Sequence, residues 1–407
     1  MRGFYEFFAG GGMARAGLGP RWTCLFANDF DARKGVAYRL NWGARELHTK
    51  DIAEIKTSDL PADPAQLAWA SFPCQDLSLA GAGAGLKGER SGTFYAFWAL
   101  MESLIAEGRA PDIIVLENVG GALTSHGGRD FTIICDRLNA GGYSYGALIV
   151  DAALFVPQSR PRLFFVCVRK GLGAPQGLIM SRGLMAAPSI WHPANLQKAY
   201  CGLPERLKGS WIWWSPPAPP RRNSILADLI EEEPLGVRWR SEAETVQLLS
   251  LMSAVNLQKV EMAKAESRRA GHRVAGCVYK RTRVDPGGAK IQRAEVRFDD
   301  IAGCLRTPAG GSSRQSIIIV EADNVRSRLM SARETARLMG LPDDYILPGT
   351  YNEAYHLTGD GVVVPVVRHL AEHLLEPILE AILEAKTSSA SPVAHLNKAS
   401  KGLTPAT

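Results

Sequence analysis

Gly3-Phe4-Tyr5-Glu6-Phe7-Phe8-Ala9-Gly10-Gly11-Gly12-Met13 decides the fold. Residues 3–9 are apolar or aromatic apart from Glu6, which predicts a buried strand. Three glycines follow directly, and helical spacing begins at about Met13. Glycine permits a tight turn and lets a ligand approach the main chain closely. A strand, a glycine turn and a helix in that order form the first unit of a doubly wound sheet, which binds ligands at the carboxyl ends of its strands. The Gly-x-Gly-x-x-Gly dinucleotide fingerprint is not matched, because position 15 is Arg.

The alternation continues outward. Strands are predicted at Thr23–Asn28, Ala68–Ser71, Pro111–Glu117, Ala147–Asp151 and Leu163–Val168, with helices at Ala32–Leu40, Phe94–Glu107 and Phe131–Asn139. This rhythm implies an α/β fold with a mostly parallel sheet covered on both faces, and residues 1–170 form the expected catalytic and cofactor-binding domain. Residues 171–325 break the rhythm. They hold Trp191, Trp211, Trp213, Trp214 and the proline run 216–220, and read as a smaller, irregular domain. Helical spacing returns at Ser331–Met339 and Val366–Ala385, so residues 326–385 are expected to rejoin the first domain. Residues 386–407, rich in Ser, Ala, Lys, Pro and Thr, read as a disordered tail.

At 407 residues and 46% hydrophobic content, the chain is long enough for a large domain and a smaller one. No apolar run approaches the roughly 20 residues that span a bilayer, and no secretory signal opens the chain. Seven scattered cysteines form no Cys-x-x-Cys pair and no zinc-like spacing, so no metal is expected and a reducing cytoplasm is the expected location. Nothing implies an obligate protein partner, and a monomer is expected. The net charge is +6, and residues 265–314 alone hold eleven Lys/Arg against five Asp/Glu. A concentrated basic segment suits a polyphosphate partner, although a solvated surface also accounts for it.

Chemistry gathers at the predicted strand ends. Asp29 follows the second strand, placed to bind ribose hydroxyls, with the Phe30 ring beside it; Asp51-Ile52 end a possible third strand. With Phe8, Gly10 and Gly12 these suit an adenosine-bearing cofactor. Ser71-Phe72-Pro73-Cys74-Gln75 sets a thiol at the same edge, where proline stiffens the turn. A thiolate is a strong nucleophile, but a thiol needs positive or hydrogen-bonding neighbours to ionise near neutral pH. Glu117-Asn118-Val119 and Gln158-Ser159-Arg160-Pro161-Arg162 bring a carboxyl group, amides and two guanidiniums toward that edge. Singly, each would pass for a core cysteine or a surface ion pair.

In this order the motifs resemble the cytosine carbon-5 DNA methyltransferase family. The resemblance runs through Phe8–Gly12, Phe72–Ser78, Glu117–Val119 and Gln158–Arg162, a variable region, Arg333–Tyr345 and Gly359–Val362, covering about residues 3–380. It implies an S-adenosylmethionine-dependent, Rossmann-like methyltransferase fold with a target-recognition domain. It also implies S-adenosyl-L-methionine as cofactor, double-stranded DNA as partner, and Cys74 as the nucleophile that attacks cytosine carbon 6. Glu117 would bind ring N3 and the exocyclic amine, and Arg162 with Arg160 would hold O2 and the neighbouring phosphate.

Gln75, Ser78, Arg90, Asn118 and Gln158 are expected to contact or enclose the substrate. The glycine-rich stretch 79–92 is expected to be a lid over a flipped base. Thr307–Gln315, with Gly310, Gly311 and Arg314, resembles the recognition loop, and Arg and Lys between 268 and 297 are expected to meet phosphates and base edges. Two departures stand out: Glu6 where Asp is usual and Asp360 where Asn is usual. Three other readings remain open: a tRNA cytosine methyltransferase, against which the long basic variable region speaks; a catalytically silent DNA-binding protein of the same fold; and a nucleotide-binding oxidoreductase.

Overall fold

In the computed structural model, residues 2–73, 92–180, 188–284, 287–306 and 314–389 are described. The chain opens with β1 (Gly3–Phe7), α1 (Met13–Leu18), β2 (Thr23–Asn28), α2 (Ala32–Trp42), β3 (Leu47–His48) and β4 (Leu67–Ala70). Then come α3 (Thr93–Ala106), β5 (Ile113–Val119), α4 (Arg129–Ala140), β6 (Tyr143–Asp151) and β7 (Pro161–Arg169). The seven strands form one sheet in the order β3-β2-β1-β4-β5-β7-β6. Pairings from β3 to β5 are parallel, and β7 runs antiparallel to both β5 and β6. The reversal has a simple cause. Only residues 152–160 join β6 to β7, too few for the crossover that a parallel pair requires.

The sheet is apolar on both faces. Phe4, Trp69, Val115 and Phe164 face one cluster of buried side chains, and Tyr5, Phe7, Ile114 and Leu116 face the other. Alternation along each strand divides them in this way. β4 is the middle strand, flanked by β1 and β5, and every residue of β1 and β4 and all but the last of β5 are buried.

The stretch after β7 is better ordered than its sequence implies. α5 (Ala194–Cys201) and α6 (Glu205–Lys208) lead to Trp211, which bridges to Tyr145 of β6, and the Trp214 indole donates to Val166 O at 2.9 Å. The tryptophans that looked irregular in sequence thus close the end of the main sheet. Beyond them lie α7 (Glu242–Ser250), α8 (Ala254–Ala270), β8 (Val274–Val284), β9 (Lys290–Arg297), β10 (Ser316–Glu321) and β11 (Asn324–Leu329). The last four form a separate antiparallel sheet, ordered β11-β10-β8-β9, where the sequence predicts an irregular unit. Leu248, Met252, Val260, Val278, Val296 and Ile318 form a small core between this sheet and α7–α8.

The chain returns through α9 (Ala332–Leu338), α10 (Tyr351–Asp360), α11 (Val364–Leu370) and α12 (Glu376–Ser389), with a π-turn at Ala371–Leu375. Ser331 and Glu334 cap α9 reciprocally at its first turn. α1 packs on α11, which places the closing segment beside the glycine turn.

Candidate active site

The carboxyl ends of β1, β2, β4 and β5, the start of β7, the end of α10 and one edge of the second sheet enclose a single cleft of about 1310 Å³. Pockets for one small molecule span about 300–1,000 Å³, so this volume admits more than a single compact ligand.

At one end lies the glycine turn. Phe8 adopts φ +58°, strained for a bulky residue, and Gly10 and Gly12 take φ +55° and +76°. A Cβ on Gly10 would meet nothing within 4 Å, so the backbone there borders open cleft. Gly11 O accepts from the Tyr345 hydroxyl at 2.7 Å and the Trp42 indole at 2.9 Å, so the turn is anchored from α2 and from the late motif. A Cβ on Gly12 would fall 2.4 Å from that indole, which leaves glycine as the residue that fits.

Asp29 is 6% exposed, and its carboxylate accepts from Gly10 N and Asp31 N, each at 2.8 Å. Each oxygen keeps a second lone pair for a ligand hydroxyl. Burial raises the Asp29 pKa, opposed by Lys34 and by these amide donors. Phe30, 70% exposed, leaves a ring face at the cleft wall. An open glycine backbone, a held carboxylate and a free aromatic ring fit an adenosine group. Asp51 and Ile52 do not join them. Asp51 caps a short 3₁₀ turn through Ala53 N, Ile52 is buried in the core, and neither lines the cleft.

Glu6 lies beneath this end, 1% exposed. One carboxyl oxygen accepts from Arg15 N at 3.2 Å, and the other has no hydrogen-bond partner among the described residues. Burial pushes its pKa up to about 8, against the opposing pull of the Arg15 amide and guanidinium.

At the other end, Pro73 reaches the cleft wall. Cys74, Gln75, Ser78 and Arg90, the proposed lid 79–92 up to residue 91, and Gly310 and Gly311 lie outside the described residues. The turn leading to Cys74 is held by Asn118, whose amide donates to Phe72 O at 3.1 Å. Asn118 is buried and serves the turn, although it also borders the cleft.

Glu117, 6% exposed, lies 3.2 Å from Arg162 Nε. Burial raises its pKa, while Arg162, Arg160 and a hydrogen bond from Ser71 oppose the rise. A carboxyl group balanced in this way can hold or share a proton.

The two arginines take different places. Arg162 stays at the cleft wall beside Glu117, 15% exposed in its side chain. Arg160 is 1% exposed and donates to Leu305 O, Gly359 O and Gly361 O, each at 2.8 Å. Its guanidinium ties the sheet to Leu305 and to the end of α10. Gln158, 0% exposed, bonds to Leu338 O at 2.8 Å and Leu305 N at 3.1 Å, so it too joins elements within the interior. Arg314 is turned onto α10, bonded to Asn352 and stacked over Tyr351, and does not line the cleft.

Three cleft residues escaped sequence reading. Cys304 lies 3.4 Å from Arg160 Nη1 and 4.0 Å from Arg162 Nη2. Arg306 lines the wall. Lys34 makes a 2.7 Å ion pair with Asp360. None carried a local signal, since each meets its partners only in the folded chain.

The β8–β9 hairpin supplies the remaining wall through Tyr279, Lys280, Arg281, Thr282, Arg283 and Arg297. Arg268, Arg269 and Arg273, expected to contact nucleic acid, pair with Asp323, Glu266 and Glu232 and do not line the cleft. Arg281 and Arg283 pair with Glu295. Such exposed pairs are worth about 0–1 kcal/mol, so a phosphate can displace them.

Among curated proteins, M.BsuFI, a type II methyltransferase of Bacillus subtilis, is 24% identical over 90% of this chain and 71% of its own length. M.HhaI, a type II methyltransferase of Haemophilus parahaemolyticus, is 24% identical over 90% of this chain and 92% of its own. The crystal structure of the S. pombe Dnmt2 methyltransferase superposes with a TM-score of 0.57 at 18% identity, covering 93% of this chain and 99% of that one, which supports the fold. The model of the C-5 cytosine-specific DNA methylases matches residues 3–376, and the chain belongs to that family.

Proposed function

We propose that this protein methylates carbon 5 of a cytosine flipped out of duplex DNA, using S-adenosylmethionine as donor and Cys74 as covalent nucleophile. The observation that carries the reading is Glu117: a buried carboxyl group, paired with Arg162, in one continuous cleft with the glycine turn. Gly10, Asp29 and Phe30 would hold the donor, which when bound supplies an electrophilic methyl group on a sulfonium.

The chain's own residues do the rest. Carbon 5 of cytosine is weakly nucleophilic until a thiolate adds to carbon 6. In that addition the Cys74 sulfur forms the new bond and the ring electrons move toward N3. Glu117 donates or shares its proton at N3, which disperses the developing charge. Arg162 keeps Glu117 in place and presents a guanidinium to O2. After carbon 5 gains the methyl group, it loses its proton to a base or water, and Cys74 leaves to restore the aromatic ring. Asn118 positions the turn of Cys74 through Phe72 O. The base edge is unreachable within a helix, so flipping is required, at a cost of a few kcal/mol. The basic hairpin wall supports a duplex as partner, since phosphate contacts dominate nucleic-acid affinity.

The test is transfer of a labelled methyl group to duplex DNA, single-stranded DNA and tRNA in parallel, with the modified position mapped. Label at carbon 5 of cytosine in the duplex is the expected outcome. Label confined to tRNA would move the assignment to the tRNA-modifying reading.

A further inference from the structure

We infer that Lys34 and Asp360 form a charge-neutral clasp across the cofactor end of the cleft, and that this pair sets the preference between a cationic donor and its neutral product. The inference rests on the cofactor reading above.

Asp360 ends α10 and Lys34 lies in the first turn of α2. Their side chains meet at 2.7 Å, 37% and 19% exposed, and both line the cleft beside Gly10, Asp29 and Gly361. Asp29 and Asp31 also act on Lys34. Burial alone would lower the pKa of this ammonium, but Asp360, Asp29 and Asp31 outweigh it and hold the group charged. The carboxylate at position 360 is therefore matched by a cation from elsewhere in the chain.

Removal of one partner changes the charge of this part of the cleft wall by one unit, with opposite sign for the two partners. S-adenosylmethionine carries a net charge of +1, because its sulfonium adds to a zwitterionic amino acid end. S-adenosylhomocysteine, the thioether left after transfer, is neutral overall and shares nearly every other contact. The ratio of their dissociation constants isolates the charge effect from shape and hydrogen bonding.

Asp360→Asn leaves Lys34 facing the cation, and Lys34→Met leaves Asp360 facing it, so the two changes act with opposite sign. One unit charge at roughly 8 Å, with effective permittivity near 40, is worth about fivefold in binding. The clasp is not the main tie between α2 and this part of the chain. Asn41 makes two hydrogen bonds to the Ile346 backbone, at 2.8 and 2.9 Å, so both variants should fold.

The experiment is titration calorimetry of both ligands, without DNA, on the full chain, Asp360→Asn, Lys34→Met and the double variant, with folding checked by thermal melting. Asp360→Asn should shift the ratio about fivefold against S-adenosylmethionine, Lys34→Met should shift it in favour, and the double variant should return to within twofold of wild type. Shifts of the same sign in both single variants, or shifts below twofold in both, would overturn the clasp. Failure of wild type to bind either ligand would overturn the cofactor reading, and the inference with it.

Discussion

Glu6 offers the sharpest test of the electrostatics. Its carboxyl group is 1% exposed, with one oxygen lacking a partner among the described residues, and burial lifts its pKa from 4.5 to about 8. Near neutral pH the folded protein therefore holds a proton at Glu6 that the unfolded chain has released. Folded-state pKa above unfolded pKa means this group's contribution is fully present below about pH 4.5 and is lost as pH rises through about 8. Each pH unit in that window costs about 1.4 kcal/mol, for a total of about 5 kcal/mol at the upper end. Stabilities of about 5–15 kcal/mol make this a large share.

Glu6→Gln removes the titration while keeping an oxygen for the Arg15 amide. Its own unpaired amide adds a cost that does not change with pH. Equilibrium urea unfolding of both proteins between pH 5 and 8 should show the variant gaining on wild type by about 1.4 kcal/mol per pH unit. Other groups titrate alike in the two proteins and cancel in the difference. A difference that stays flat across the window would refute a protonated, buried Glu6.

Arg160→Met should cost about 3 kcal/mol in the same unfolding assay, because three carbonyls, two of them buried, lose a charged donor and the desolvation already imposed on the guanidinium offsets part of that loss. A cost under 1 kcal/mol would show that these carbonyls find other partners. Asn118→Ala should cost about 1–2 kcal/mol in stability and lower kcat at least tenfold with little change in the KM for DNA, since the turn before Cys74 loses its tie to Phe72. Equal losses in kcat and DNA affinity would place Asn118 in substrate binding instead.

Much of this was legible in the chain. β1 and the glycines, and the apolar β5 ending in Glu117 and Asn118, are local patterns, and local patterns survive folding. The division of labour within Gln158–Arg162 was not. Arg160 and Arg162 look equivalent in sequence, yet Arg160 finds its acceptors at positions 305, 359 and 361, far along the chain. Gln158 is absorbed for the same reason, by Leu305 and Leu338. Asp51 ends a possible third strand in sequence, but in the fold one of its oxygens caps a short turn and the residue does not line the cleft. Lys34 resembles any helix-surface lysine until α10 brings Asp360 against it. The tryptophans at 211, 213 and 214 have no periodicity, so their packing against the sheet was invisible to pattern reading.

A duplex whose target cytosine bears fluorine at carbon 5 addresses the chemistry most directly. Fluorine cannot depart as a proton does, so a ring that has taken both sulfur and methyl stays attached to the protein. Incubation with S-adenosylmethionine should give a denaturation-resistant protein–DNA complex that maps to Cys74 and is absent in Cys74→Ser. A complex that persists in Cys74→Ser, or methylation of ordinary duplex by that variant at the wild-type rate, would contradict covalent catalysis by this thiol.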